Sequence, residues 1–192
     1  MNEKVSSLLQ RIHDLQAELE DEFDRQRTAM KYTVEKRRVV FGKGVKDLHR
    51  ALRQTLGSYL AHARPMVVLT APVIYSVILP LALLDLFVTL YQAICFPVYR
   101  IEKVRRADYI SLDRHHLAYL NGLEKLNCIY CGYGNGLLAY ASEIAARTEA
   151  HWCPIKHATR MKGTHGHYPA FLEYGDAEGF KRTKQELHES TK

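Results

Sequence analysis

Three of the four cysteines in the chain lie close together in sequence, and a histidine follows the last of them. Cys128 and Cys131 form a CxxC pair directly before a glycine, and Cys153 and His157 form a CxxxH pair. Thiolate and imidazole groups are the ligands of tetrahedral zinc, so these spacings predict a Cys3His zinc site. Thiolates also hold iron–sulfur clusters, which are the alternative cofactor. The remaining alternative is a region that binds no metal.

Two helices are predicted to position these ligands. Leucines spaced along residues 113–131 form one helical stripe, with Asp113 as the N-cap, and residues 136–152 are predicted to form a second helix. The glycine-rich stretch GYGNG between them predicts a turn and hence an antiparallel αα-hairpin. Because a straight second helix extends about 25 Å, a single four-ligand site requires the CxxC segment to fold back along it.

Antiparallel pairing of the two helices favours a different set of ligands. If the turn brings the helices side by side, His116 comes near the end of the second helix, where Cys153 and His157 lie. These three side chains then form a split metal site. Cys128 and Cys131 remain at the turn as a dithiol, which is a candidate redox pair. The sequence alone leaves both arrangements open.

Further acidic and histidine residues are candidates for supporting roles. His165 and His167 form a His-x-His pair whose rings share a face if the chain is extended, and a polar loop is the alternative. Glu124 and Glu143 lack the Glu-x-x-His pattern of a di-iron bundle, so packed or salt-bridging roles are predicted for them. The sequence contains no phosphate-binding glycine loop and no nucleophile elbow. Whether the protein is an enzyme is therefore left open.

An apolar run precedes this region. Residues 66–98 contain one charged residue, Asp85, whereas charges are frequent on both sides. A membrane-spanning helix needs about 20 apolar residues, so the run is long for one span and short for two. An intramembrane carboxylate is costly, so Asp85 is expected to make a polar contact between helices or to lie near the interface.

The flanking charge favours a hairpin over a span. Lysine and arginine exceed acidic residues on both sides of the run, which predicts two cytoplasmic ends. A membrane hairpin broken near Pro80 satisfies that symmetry. A single proline-kinked span from Val73 to Phe96 and a buried soluble core are the alternatives.

The N-terminal part of the chain divides into two amphipathic segments. Apolar residues at heptad spacing predict a helix within residues 1–40 that either self-associates through residues 5–30 or packs on the chain's own helices. Residues 41–65 carry an apolar stripe beside basic residues, which predicts a helix on the membrane surface, with a helix covering a soluble core as the alternative. The heptad residues are Val5, Leu8, Ile12, Leu15 and Leu19, and the stripe comprises Val45, Leu48, Leu52, Leu56, Tyr59 and Leu60.

Net charge and the absence of a signal peptide indicate the partner and the cellular compartment of the protein. The formal net charge is +6, and the basic excess borders the apolar run rather than a nucleic-acid-binding module. The predicted partner is accordingly a bilayer with anionic headgroups, and no nucleic acid is expected. The sequence does not open on a secretory signal peptide, so a cytoplasmic N-terminus and reduced cysteines are expected.

The blocks CIYCGYGNG and HWCPIKHA resemble a family of bacterial membrane-associated proteins, over residues 96–180. The resemblance implies a bacterial inner-membrane location and carries no activity. The predicted fold is mainly α, in four parts: a heptad-like helix (1–40), a basic amphipathic surface helix (41–65), a membrane segment (66–98) and a cytoplasmic Cys/His helical domain (99–192). The predicted function is membrane association with a zinc-stabilised domain. The alternatives are a membrane-bound thiol or iron–sulfur oxidoreductase, for which a quinone is a candidate substrate, and an oligomeric membrane-surface scaffold.

Overall fold

The computed structural model describes residues 3–30, 32–35, 38–42 and 44–190. The protein is mainly helical, with about 70% of residues in helices and 4% in strands. The elements in chain order are α1 (Glu3–Ala29), β1 (Tyr32–Glu35), β2 (Arg38–Phe41), α2 (Val45–Ala51), α3 (Leu56–Ala61), α4 (Pro65–Ser76), α5 (Ile78–Val98), α6 (Arg106–Tyr109), α7 (Gly122–Trp152) and α8 (Ala177–Ser190).

The chain forms two compact units. The first unit comprises Met1–Pro65 and Leu112–Ile129, and the second comprises Met66–Ser111 and Tyr130–Lys192. The long helix α7 contributes residues to both units.

In the first unit, the predicted heptad helix is shorter than residues 1–40. Helix α1 ends at Ala29, and β1 and β2 then pair antiparallel, with Tyr32 opposite Phe41. Valine and aromatic residues in this stretch favour strands over helix, which explains the early end. The apolar heptad residues of α1 are exposed, and α1 contains no buried residue among those described.

The predicted surface helix over 41–65 is two short helices rather than one. Residues 52–55 interrupt it between α2 and α3. Thr55 takes an extended conformation, and its Oγ1 accepts a hydrogen bond from the backbone N–H of Ser58 at 3.3 Å. A hydroxyl that caps a new helix in this way competes with continuation of the preceding one.

In the second unit, the apolar run is one helix of 34 residues with an interruption at Val77, between α4 and α5. Val77 keeps right-handed helical angles (φ −63°, ψ −16°), so the chain does not reverse there. Pro80 explains the interruption, because its ring removes the N–H that would bond the carbonyl of Ser76. The predicted hairpin is therefore wrong, and the backbone follows the alternative of a single proline-kinked helix.

Helix α7 passes without interruption through the glycine-rich stretch in which a turn was predicted. A Cβ at Gly136 would lie 2.6 Å from the carbonyl oxygen of Tyr109, and one at Gly134 would lie 3.4 Å from Leu81. Gly136 therefore permits close packing of a neighbouring segment rather than a turn, and a side chain at Gly134 would make only an ordinary contact. The predicted αα-hairpin is wrong for this reason.

The start of α7 also differs from the prediction. Asp113 precedes only a short 3-10 turn, Arg114–His116. The N-cap of α7 is Asn121, whose Oδ1 accepts hydrogen bonds from the backbone N–H groups of Leu123 and Glu124, both at 3.0 Å. The Glu124 carboxylate in turn accepts from the backbone N–H of Asn121 at 2.8 Å, which completes a capping box.

The core of the second unit lies between α5, the segment that follows it, and α7. Five buried apolar residues form this core: Phe96, Val104, Leu137, Tyr140 and Ile144.

After α7, the chain forms a loop that returns to itself through a bridge between Ile155 and Leu172, and α8 follows.

Candidate functional site

Helix α5 has two faces of opposite character. One face packs on the rest of the second unit through partly or fully buried residues that include Leu81, Leu84, Val88 and Phe96. The other face is apolar and exposed. In the combined helix Pro65–Val98, none of the most apolar 18-residue stretch is buried. Seven large side chains on this outer face are between 50% and 69% exposed: Leu79, Leu83, Leu86, Phe87, Leu90, Ile94 and Val98.

The polar residues of α5 face the protein. The Asp85 carboxylate accepts two hydrogen bonds from the Arg106 guanidinium, at 2.6 Å and 3.2 Å. It also accepts from the hydroxyls of Tyr133 (3.0 Å) and Thr89 (3.3 Å). The Asp85 side chain is only 17% exposed, so this paired geometry offsets the cost of its burial. The expected polar contact between helices is therefore present.

A second polar contact lies two turns further along α5. The side-chain amide of Gln92 is buried and donates to the hydroxyl of Tyr140 on α7. Its carbonyl oxygen accepts a hydrogen bond from the backbone N–H of Val104 at 3.0 Å. Gln92 was not predicted as a site residue, although its spacing of seven residues from Asp85 places both on one helix face.

The segment between α5 and α6 runs back along α5. The N–H of Ile101 donates to the carbonyl of Phe96 (2.8 Å), Val104 bonds Gln92, and Arg106 reaches Asp85. Residues 101–106 therefore lie alongside the C-terminal half of α5 and run in the opposite direction. We refer to residues 100–106 as the return segment.

The loop after α7 docks on α7 through two histidine–glutamate pairs. Nε2 of His165 lies 2.9 Å from the carboxylate of Glu149, and Nε2 of His167 lies 3.1 Å from that of Glu143. Arg147 donates to Glu143 at 2.8 Å and to the carbonyl oxygen of Glu102 at 2.8 Å. The predicted salt-bridging role of Glu143 is confirmed, and the His-x-His pair is part of a packed contact.

Electrostatics in this contact favour the ionised form of Glu143. Burial works to raise the pKa of Glu143, but hydrogen bonds from Arg147 and His167 outweigh it and lower the pKa below the ordinary value. Burial also lowers the pKa of His151, near the end of α7, and so favours the neutral imidazole.

The predicted Cys3His ligands are not brought together. Cys131 is on α7 and Cys153 directly follows its last residue, so that they lie 22 positions apart, or about 33 Å of helix. No fold-back occurs, because the helix between them is continuous. Among the described residues, no group of three or more His, Cys, Asp or Glu side chains is placed to hold a metal ion. Zinc binding stays a prediction.

The split site loses its geometric basis as well. It required two antiparallel helices joined by a turn, and the continuous α7 replaces that hairpin. His116 is exposed and packs on His115, with ring centroids 3.9 Å apart. The backbone N–H of His157 donates to the hydroxyl of Tyr168 at 2.8 Å. Cys128 is half-buried and Cys131 is exposed.

The first unit contains a cavity of about 350 Å³ that the sequence did not predict. Its wall includes Phe41, His49 and Tyr119, whose rings meet edge to face at centroid distances of 5.4 Å and 5.2 Å. His116 lies at this cavity.

Comparison with family models, with curated proteins and with solved structures gave no match to this chain.

Proposed function

We propose that the protein is a membrane-bound protein of the bacterial inner membrane, in which α4 and α5 hold the rest of the second unit against the bilayer. The observation that carries this proposal is the exposed apolar surface of the helix Pro65–Val98, whose most apolar stretch is not buried by the protein. A continuous apolar surface of this extent is stable only against lipid or against another protein.

The direction of the polar side chains supports the proposal. Asp85 and Gln92 lie on the covered face and are satisfied by Arg106, Tyr133 and Tyr140. A helix exposed to water has its polar residues outside, whereas α5 has them inside. This arrangement matches the rule that ionisable groups at membrane helices face protein partners.

The charge beside the helix supports an anionic lipid surface as the partner. The return segment contains Arg100, Lys103, Arg105 and Arg106 against one acidic residue, Glu102. Basic residues next to an apolar segment are attracted to anionic headgroups by roughly 1 kcal/mol each. Cytoplasmic positions for both chain ends belong to the same proposal, because basic residues flank the helix on both sides.

Flotation tests this function directly. The full chain, purified in mild detergent and mixed with vesicles containing a third anionic lipid, is expected to float with the vesicles after detergent removal. Resistance to alkaline carbonate extraction should show that apolar insertion, and not charge alone, holds it. Protein that remains in the dense fraction as a soluble, folded species would reject the proposal.

A matched pair of double variants tests whether the outer face of α5 binds the vesicles. Leu86→Glu and Leu90→Glu together place two charges on that face, and the double variant should move to the soluble or aggregated fraction. Arg105→Glu and Glu102→Arg together exchange two charges on the return segment, where exposure to water makes this tolerable. Equal flotation of both double variants would contradict the role of the outer face.

A further inference from the structure

The outer face of α5 is free of charge along its whole length. Besides its seven large apolar side chains, the exposed positions of the helix are Pro80, Ala82, Thr89, Ala93 and Pro97. The Thr89 hydroxyl bonds Asp85 rather than a group on the outer face. This apolar face therefore extends about 28 Å from Leu79 to Val98.

Charged groups lie beside the same part of α5, on the return segment. The side chains of Glu102 and Arg105 are 91% and 79% exposed, and Lys103 is exposed as well. The contacts of Val104 with Gln92 and of Arg106 with Asp85 place these charges alongside α5 and not beyond its end.

These two observations exclude an orientation in which the whole of α5 crosses the hydrocarbon core. If α5 crossed the hydrocarbon core, Glu102, Lys103 and Arg105 would enter it with the helix. A charged side chain at the centre of a bilayer is strongly unfavourable. An orientation parallel to the membrane plane places the apolar face in lipid and leaves the return segment at the water side.

We propose that α5 lies in the plane of one leaflet, with its outer face on the acyl chains and the return segment among the headgroups. This inference rests on the proposed membrane-bound function and specifies the surface and its lipid partner. Helix α4 then enters the leaflet beyond the interruption at Val77. Its 12 residues extend about 18 Å, which is too short to cross a core of about 30 Å.

Lipid is favoured over a second copy of the chain as the occupant of this surface. Four consecutive residues of α4, from Met66 to Leu69, are between 52% and 71% exposed. Four consecutive helical residues point in all directions around the axis, so α4 is apolar all round. A dimer partner covers one side of a helix, whereas acyl chains cover every side.

Depth measurements with tryptophan test the orientation. The full chain carrying Trp152→Phe, which removes the single native tryptophan, receives Leu83→Trp, Ile94→Trp or Lys103→Trp in separate variants. Each is reconstituted into vesicles with lipids brominated at several acyl positions, and fluorescence quenching gives the depth of the indole. We expect equal depths at positions 83 and 94, and no quenching from the acyl positions at 103.

The remaining outcomes each overturn a separate statement. Depths at 83 and 94 that differ by about 16 Å, whether or not position 103 is quenched, would show a helix across the bilayer and reject the in-plane orientation. Absence of quenching at both outer positions in protein that floats would show that another protein chain covers the face. Variants that all fail to float, together with the parent chain, would reject the membrane-bound function itself.

Discussion

At the residue scale, close packing explains Gly136 of α7. Ala at Gly136 would place a Cβ 2.6 Å from the carbonyl oxygen of Tyr109 and 2.9 Å from the Cα of Ile110, both of them backbone atoms. We expect Gly136→Ala to destabilise the protein by about 1–3 kcal/mol, because backbone must move. Thermal unfolding in detergent, followed by circular dichroism, measures the loss.

Gly134→Ala is the matched control on the same helix. Its Cβ would meet a Leu81 methyl at 3.4 Å, an ordinary contact, and helix propensity favours alanine by about 1 kcal/mol. We therefore expect a neutral or slightly stabilising effect. Equal losses in the two variants would show that α7 does not pack as described here.

The distance between Cys131 and Cys153 allows the predicted Cys3His zinc site to be tested. Because about 33 Å of continuous helix separates Cys131 from Cys153, one ion cannot bind both in one chain. Elemental analysis of the purified protein should show that Cys153→Ser leaves unchanged any zinc that depends on Cys131. A stoichiometry of one zinc per chain, abolished by either Cys131→Ser or Cys153→Ser alone, would contradict the continuous α7.

Residue types alone predicted the polar contact of Asp85. The packing around the glycines of α7 was not predictable in this way. Asp85 stands alone as a charge in an apolar run, so a polar partner was predictable without naming Arg106. The glycines of GYGNG are equally consistent with a turn and with close packing of a helix, because glycine permits both. Only the position of Tyr109 beside Gly136 distinguishes the two, and that contact is not local in sequence.

At the element scale, the loop that contains His165 and His167 is held to α7 by Glu143 and Glu149. The pKa of Glu143 is lowered on folding, so its stabilising contribution is complete above the ordinary value of 4.5 and is lost as pH falls through the folded value. We expect Glu143→Gln to lower stability at neutral pH by about 1–3 kcal/mol, since it weakens the bonds to Arg147 and His167. The difference from the native protein should shrink in acid.

Thermal unfolding from neutral pH to below the ordinary glutamate pKa tests this dependence. Glu102→Gln serves as the control, because the side chain of Glu102 is 91% exposed and its ion pair with Arg147 is a surface pair of little energy. A constant difference between Glu143→Gln and native protein at all pH values would reject the assignment of the acid-sensitive group.

The apolar heptad residues of α1 form an exposed seam. We propose that this seam pairs with the same seam of a second chain. Leu15 is 61% exposed on this seam, and Gln16 lies next to it on another face. If the seam pairs with a second chain, Leu15→Glu should dissociate the oligomer, whereas Gln16→Glu introduces the same charge without this effect. Light scattering of the detergent-solubilised chain measures the mass. A native chain that is monomeric would contradict the proposal.

Element types were predictable where periodicity was strong. The heptad spacing predicted α1. For the apolar run, the predicted hairpin was wrong, and a proline-kinked helix was the alternative that the backbone follows. The two faces of α5 could not be predicted in the same way, because residues on both faces are apolar and hydropathy distinguishes them poorly. Which face is covered depends on α7 and the return segment, and the sequence does not show that these segments pack there.

At the scale of the whole molecule, the membrane topology follows from the in-plane orientation of α5. Reporters fused before residue 1 and after residue 192 should both be cytoplasmic, because the chain enters and leaves the leaflet on one side. A hairpin makes the same prediction, but a span places the reporters on opposite sides. Enzymatic or fluorescent reporters specific for each compartment make the measurement in cells.

Pro80→Leu distinguishes the in-plane helix from a hairpin that depends on proline as its break. Leucine restores the N–H that can bond the carbonyl of Ser76, so α4 and α5 should become one straighter helix. In a hairpin, loss of the break would favour a full span and move the C-terminal reporter outward. In the in-plane arrangement the exposed charges of Glu102, Lys103 and Arg105 still resist entry into hydrocarbon, so both reporters should remain cytoplasmic. A C-terminal reporter that moves to the outer side in this variant would show that Pro80, and not the return segment, holds the helix at the surface.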